Sequence, residues 1–219
     1  MGPTNSFIEM QLADKQIVKE RFQKNYTTYN NQAVVQKQIA SKLIHLMVKK
    51  HLVHFNSIVE IGCGTGFLTE EILRNLKVKQ YIINDLTSTF SQSIKHLEGK
   101  YNFNNFVYKP GDAELVDFPK QLDAVFSTST LQWFHNLELF FGKVKNMLNA
   151  SGIFAFSTFG PDNFKELKAT LDVGLKYISL SQLIQLIEAD FDIIYSEEWN
   201  QISVFQNPID VLRHIKKPE

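Results

Sequence analysis

The chain has 219 residues, and its 23 Lys plus Arg balance 23 Asp plus Glu, so net charge supplies none of the large electrostatic term that nucleic-acid binding requires, and a local basic patch is the most that composition allows. The length suits one α/β domain with a full core and a helical appendage. A single cysteine, Cys63, excludes an internal disulfide, no run approaches the roughly 20 apolar residues of a membrane span, and no basic segment followed by an apolar run marks a signal peptide. The expected setting is therefore cytoplasmic, away from membranes. Met1-Gly2 with Ser6 fits a myristoylation pattern formally, but Pro3 and the lack of a second anchor argue against it.

Residues 11 to 54 contain no Gly or Pro, and Ile39, Leu43, Leu46 and Met47 recur at helical spacing, which predicts an N-terminal helical segment broken near Asn25 to Asn31. The run from Arg21 and Phe22 through Tyr29 to Gln36 gathers aromatic and polar residues. A tyrosine with its ring on the core and its hydroxyl in water would explain Tyr29 without any ligand. Ile58 to Ile61 then reads as a short buried strand, Gly62, Gly64 and Gly66 as a turn, and Phe67 to Leu76 as a helix. That arrangement holds nucleotide-like ligands at a helix N-terminus, although a plain tight turn uses the same residues. A dinucleotide fingerprint would place its third glycine where Phe67 stands, and the Gly-Lys-Ser/Thr of a P-loop is absent.

Strand and helix alternate from here, which predicts a mostly parallel sheet covered on both faces. Gln80 to Asn84 is the second strand, and Asp85 follows it at the position where an acidic residue hydrogen-bonds ribose hydroxyls in nucleotide-binding α/β folds. A helix cap or a turn residue before Thr87-Ser88 is the alternative role. Phe106 to Lys109 is the third strand, and Asp112 just beyond it is a second carboxylate at a strand C-terminal end. Leu122 to Ser127, the fourth strand, empties into a polar-then-aromatic segment ending at Leu137. His135 in that segment is a candidate general base, but a lone histidine beside two aromatics is more often structural or exposed. A helix over Leu137 to Leu148 and a strand over Ile153 to Phe159 follow. Residues 160 to 180 are longer than an ordinary connection, as a lid would be. A helix over Ser181 to Glu188, a long bent strand over Asp192 to Phe205 and a short helix opened by Pro208 and bearing Arg213, Lys216 and Lys217 complete the chain.

Glu60-x-Gly62-x-Gly64-x-Gly66 resembles the first motif of class I S-adenosylmethionine-dependent methyltransferases. Together with Tyr29-x-x-x-Ala33-x-x-Gln36, Gly111-Asp112-Ala113-Glu114, Leu131-Gln132-Trp133-Phe134-His135 and Val211-Leu212-Arg213-His214, it looks like the malonyl-acyl-carrier-protein O-methyltransferase family of biotin synthesis over nearly the whole chain. The resemblance implies an α/β Rossmann-like sheet with helices on both faces and an N-terminal helical cap. It implies a single methyltransferase domain over 1–219, divided into a helical segment (11–54), a cofactor-binding core (56–159), a lid-like insertion with a helix (160–190) and a late strand with a C-terminal helix (191–219). Family members run on past the Arg-His-Ile-Lys helix into a final antiparallel strand, whereas this chain stops at Glu219, so two expectations stay open: a shortened protein, or a sheet that lacks its last strand.

The implied reaction moves a methyl group from S-adenosylmethionine, leaving S-adenosylhomocysteine, to the free carboxylate of a malonyl thioester on acyl-carrier protein or coenzyme A. By the same resemblance Gly62, Cys63, Gly64 and Gly66 pack beneath the methionine part of the cofactor, Asp85 chelates the ribose diol, and Asp112 with Ala113 meets the adenine. Ser127 and Gln132 reach the cofactor's amino-acid end, Tyr29 caps the site, and Gln36, Glu60 and Leu86 are further cofactor contacts. Tyr29, Trp133 and Arg213 are expected to bind the substrate, and no metal is expected. Cys63 reads as a small residue whose backbone matters rather than as a nucleophile. No general base is nominated, because a carboxylate with a pKa of about 4 is already ionised at neutral pH. The protein is expected to act as a monomer. Two other readings stay open: a methyltransferase of the same fold acting on a free small molecule, and an inactive cofactor-binding protein.

Overall fold

The computed structural model describes residues 14–29, 34–165, 177–202, 204, 206–207 and 211, the side chains of 25–29 excepted. Two helices, α1 (Lys15–Tyr29) and α2 (Val34–Lys49), precede an alternating series of β1 (His54–Ile61), α3 (Phe67–Asn75), β2 (Lys77–Asp85), α4 (Ser91–Tyr101) and β3 (Phe106–Pro110). There follow β4 (Leu122–Thr128), a 3-10 turn (Leu131–Trp133), α5 (Leu137–Met147), β5 (Leu148–Ser157) and α6 (Leu180–Ile187). The five strands are all parallel, in the order β3-β2-β1-β4-β5.

Alternation along the central strands divides the core between the two faces. Ile58, Ile83, Ala124 and Phe126 face one way and pack against Ala40, Ile44, Leu68, Ile72 and Ile94 of the helices on that side. Val59, Ile61, Ile82 and Val125 face the other way, against Phe140, Phe141, Val144 and Leu183. A strand covered on both faces needs apolar residues at successive positions, and β1 and β2 become continuously buried over their C-terminal halves. Their N-terminal ends are mostly exposed and polar, with Phe55 and Val78 as isolated apolar positions, which is why the predicted strands begin too late. The ladder pairing of His54 with Lys77 extends both strands through residues that hydrophobicity does not flag. In β5 the pairing reaches back to Leu148 across a register shift, and it stops at Ser157, where β4 ends.

One predicted element is corrected. Residues 192–202, read as part of a bent strand, form no strand. Ile194 and Ile202 in this stretch are largely exposed. β-Branched composition makes a segment fit for a sheet, but only a neighbour offering a free backbone edge makes it a strand; among the described residues nothing pairs with it, and β5 is an edge of the sheet. The myristoylation pattern, the helix from Pro208 with Arg213, Lys216 and Lys217, and residues 166–176 of the lid-like insertion lie outside the described residues.

The strand order positions the site. From β1 the chain steps through β2 to β3 on one side, then crosses to β4 on the other side of β1. Loops leaving β1 and β4 therefore part in opposite directions, opening a crevice at the C-terminal ends of the strands, where open α/β sheets bind their ligands.

Candidate active site

That crevice holds a cavity that opens to the solvent, lined by the turn after β1, the end of β2, the loops after β3 and β4 and the first turns of α1. Its floor is the turn after β1. Gly62 and Gly64 have φ of 72° and 52°, in the left-handed region that glycine adopts without strain. A Cβ on Gly64 would meet nothing within 4 Å, whereas one on Gly62 would come within 2.8 Å of Thr130 Cβ, from the loop after β4. The backbone of the turn is thus bare on the cavity side and closely packed behind.

Asp85 ends β2 beside this turn and is 7% exposed. One carboxylate oxygen accepts the Gly64 N–H and the other the Thr87 N–H, each at 2.9 Å. A carboxylate offers about four lone-pair sites, so capacity remains for two further donors. Burial pushes the Asp85 carboxyl up to about 6, against the lowering effect of those two amide bonds. Asn84 braces the neighbouring wall, its amide donating to the carbonyls of Lys109 at 2.8 Å and Gly111 at 3.0 Å.

Helix α1 covers the cavity with Lys15, Val18, Lys19 and Phe22. Lys15 bonds both Asp112, at 2.7 Å, and Glu114. Glu114 in turn accepts the backbone N–H groups of His135, at 3.0 Å, and Asn136, at 2.9 Å. Phe22 makes edge-on contacts with Phe90 and Trp133, both with ring centroids at 6.4 Å. One cation and one ring therefore tie the covering helix to the loops after β3 and β4.

The residues expected from sequence separate into two groups. Gln36, Gly62, Cys63, Gly64, Asp85 and Leu86 line the cavity, as do Asp112, Ala113 and Trp133. Glu60, Gly66, Ser127 and Gln132 stand off its wall. Gly66 is the N-cap of α3, the Ser127 hydroxyl donates to the Ile61 carbonyl at 3.0 Å, and the Gln132 amide donates to the Ser129 carbonyl at 2.7 Å. Tyr29 closes α1, with its side chain outside the described residues, as is Arg213. His135 is exposed and off the cavity wall. Burial pushes the Cys63 thiol well above its usual range, which keeps it protonated and unreactive at neutral pH.

Glu60 lies within the core instead. Its carboxyl accepts the Thr69 hydroxyl at 2.7 Å and the Tyr81 hydroxyl, and burial raises it from 4.5 to about 7. A carboxyl with a raised folded pKa holds its proton more tightly when folded, so it costs stability as pH rises through that window and the full cost applies above it. Glu60→Gln, neutral throughout, is expected to gain about 3 kcal/mol on the native protein between pH 4.5 and pH 8. Urea unfolding at the two pH values measures this, and an unchanging difference would place Glu60 in the ordinary carboxylate range.

From sequence Lys15 and Lys19 read, with Arg21 and Lys24, as a basic surface for an acidic carrier protein; their place on the cavity wall was missed, as was that of Phe22, Thr65, Thr87, Ser129 and Thr130. The aromatic and polar run at Arg21-Phe22 was a signal for the three on α1, but nothing local says that α1 lies across the strand ends. Among the others, the hydroxyls of Thr65, Thr87 and Ser129 and the Trp133 indole N–H are buried without partners. Buried polar atoms are normally satisfied, so a wall carrying four such atoms suits a polar ligand. A carboxylate at the end of β2, a bare glycine turn and unpartnered hydroxyls fit a nucleoside joined to an amino-acid-like chain.

Residues 59–156 match a family model described as a methyltransferase domain. The chain is 37% identical over 206 residues to a malonyl-[acyl-carrier protein] O-methyltransferase of Bacteroides fragilis, covering 94% of this chain and 41% of that longer protein. It is 36% identical to the protein of the same name from Bacteroides helcogenes, covering 93% of this chain and 81% of the relative. The relative from Bacteroides thetaiotaomicron is 37% identical, with coverage of 93% and 77%. Among solved structures, the N-methyltransferase NodS from Bradyrhizobium japonicum, in complex with S-adenosyl-L-homocysteine, superposes with a TM-score of 0.61 at 11% identity over 80% of this chain and 84% of that one. The [4+2]-cyclase SpnF does so at 0.63 and 15% identity, over 83% and 73%. A cyclase on the same frame shows that the frame alone does not choose the reaction. Sequence identity above 30% along more than nine-tenths of the chain does discriminate, and by it this chain belongs to the malonyl-[acyl-carrier protein] O-methyltransferase family.

Proposed function

We propose that this protein transfers a methyl group from S-adenosylmethionine to the free carboxylate of a malonyl thioester on acyl-carrier protein, an early step toward the pimelate part of biotin. The observation that carries the reading is the pairing of a bare glycine turn with the buried Asp85 carboxylate in one cavity, in a chain of this family. When bound, S-adenosylmethionine supplies an electrophilic methyl group on a sulfonium.

Asp85 would accept the two ribose hydroxyls, and Asp112 and Ala113 border the space for the base. The Gly62–Gly64 backbone lies under the remainder. Neither reactant needs a proton removed, so no residue is assigned as a base. With the donor bound, the cavity would hold the acceptor oxygen in line with that methyl group, and the methyl ester would form as the neutral thioether leaves with the sulfur–methyl electron pair. The protein's part is to orient the acceptor and to exclude water, which would otherwise hold the carboxylate oxygen in its shell. Helix α1, pinned by Lys15 and Phe22, supplies that cover.

The carrier is assigned as acyl-carrier protein rather than coenzyme A, with the enzyme acting as a monomer. Acyl-carrier proteins are acidic, and Arg21 and Lys24 on the exposed side of α1 offer a basic surface beside the cavity. Calorimetry with S-adenosylmethionine, followed by methyl transfer to malonyl-carrier protein, malonyl-coenzyme A and free malonate, tests the reading. Turnover is expected with the carrier protein, falling as salt rises to about 0.5 M, and with far less salt dependence for a short thioester. Equal salt dependence would remove the docking surface. Turnover of free malonate alone would indicate a small-molecule enzyme, and cofactor binding without any turnover an inactive protein.

A further inference from the structure

Lys15 and Lys19 are the cations among the described residues that line the cavity. Lys15 is neutralised by Asp112 and Glu114. Lys19, half-buried, has no partner among the described residues. Residues four apart on a helix share a face, displaced by about 6 Å along the axis, so Lys19 follows Lys15 on the cavity side of α1, away from the Asp112 end. Phe22, three residues further on, rests against Trp133, which brings this turn of α1 to the loop after β4. There Trp133 and Ser129 both line the cavity, and the indole N–H of the one and the hydroxyl of the other are buried and unpartnered. Ser129 is held at φ 53°, a conformation that a non-glycine residue keeps only where the surroundings enforce it. Its backbone N–H bonds the Ser157 carbonyl at 3.1 Å and its carbonyl accepts from Gln132, so the strained backbone is fastened on both sides while the hydroxyl is left over.

An unpaired ammonium on the covering helix and two unpaired neutral donors on the loop that this helix meets suit an anionic acceptor. We propose that Lys19, the Trp133 indole N–H and the Ser129 hydroxyl together bind the carboxylate of the methyl acceptor. The proposal rests on the malonyl-thioester reading above and names the part of the site that reading leaves open. It assigns the gripping cation to Lys19, where sequence pointed to Arg213.

The choice of groups suits the reaction. The attacking carboxylate loses its charge in the transition state, so a bidentate arginine would stabilise the ground state more than the transition state and slow the step. One ammonium with two neutral donors holds the anion more lightly. Methylation removes the charge, so the ester product loses the ion pair and leaves. Lys19 should therefore act mainly on KM rather than on kcat.

The test uses the full chain with malonyl-coenzyme A and its methyl ester, which share every phosphate and differ only at the carboxyl. The native protein is expected to bind the acid at least tenfold more tightly than the ester by calorimetry. Lys19→Met should erase that preference and raise KM for the acid about tenfold, with S-adenosylmethionine affinity unchanged, and Lys19→Arg should restore the preference. Trp133→Phe and Ser129→Gly, the latter suited to the positive φ, should each reduce the preference several-fold. A Lys19→Met protein that keeps the preference overturns the proposal. So does one whose cofactor affinity falls in parallel, since the carboxylate held would then be the cofactor's own. A native protein that binds S-adenosylmethionine but methylates neither malonyl-coenzyme A nor malonyl-carrier protein overturns the malonyl-thioester reading and the proposal with it. Loss of the subsite alone appears instead as thioester turnover that is indifferent to Lys19.

Discussion

Replacing Asp85 by alanine is expected to weaken S-adenosylmethionine binding by about one to two orders of magnitude. Hydrogen bonds to a charged acceptor contribute roughly 1.5–3 kcal/mol, and each 1.4 kcal/mol is about tenfold in affinity. The same carboxylate sets a pH dependence. Its folded value of about 6 reflects burial, and hydroxyl donors from the ligand favour the ionised form, so binding lowers that value. Affinity should be flat above about pH 6.5 and fall by up to about tenfold per pH unit below 6. Asp85→Asn should abolish the slope and weaken binding throughout the neutral range. Calorimetry between pH 5 and pH 8 decides the matter; an alanine variant with native affinity would mean that Asp85 only braces the Gly64 and Thr87 backbones.

Gly62→Ala should lower stability by about 2–5 kcal/mol. The new Cβ sits at φ 72°, which costs an L-residue roughly 1–2 kcal/mol, and it overlaps Thr130, whose Cβ would be only 2.8 Å away, which adds an overpacking penalty of about 1–3 kcal/mol. For a chain of this length the melting temperature should fall by roughly 5–15 °C. Thr130→Ala in the same protein should recover part of the loss, because it removes the two outer atoms that clash, but not the rest, since the Thr130 Cβ and the backbone strain remain. The comparison matters because Gly64, with equal conformational need, has open space where its Cβ would be. Gly64→Ala should therefore cost stability only through φ, and act chiefly on the ligand. A Gly62→Ala protein that melts at the native temperature would mean that the loop after β4 yields freely.

The sequence by itself determined the alternating frame and marked the glycine turn and Asp85, which line the cavity. Apolar runs of strand length between helical patterns dictate a parallel sheet, and a glycine turn after the first strand with an acidic residue ending the second places a ligand at the strand tips. Both are local signals, since backbone conformation and side-chain period act over a few residues. Tertiary structure alone decided the rest. Glu60 and Gly62 stand two residues apart, yet one is buried beneath the sheet with Tyr81 and Thr69 and the other floors the cavity. Glu60 is still within β1, which ends at Ile61, whereas Gly62 has entered the turn at φ 72°, and the packing of the helices over each assigns its surroundings. Gln132 was a reasonable choice from its motif, but the 3-10 turn sends its amide to the Ser129 carbonyl and leaves Ser129 and Trp133 on the wall. The stretch from Asp192 carries a strand's composition and is not one, because pairing depends on a neighbouring edge that composition does not encode. From sequence Lys19 read as part of a basic surface for the carrier protein. Only the lie of α1 across the strand ends, with Lys15 fastened to Asp112 and Glu114, makes it the unpaired charge facing the cavity among the described residues.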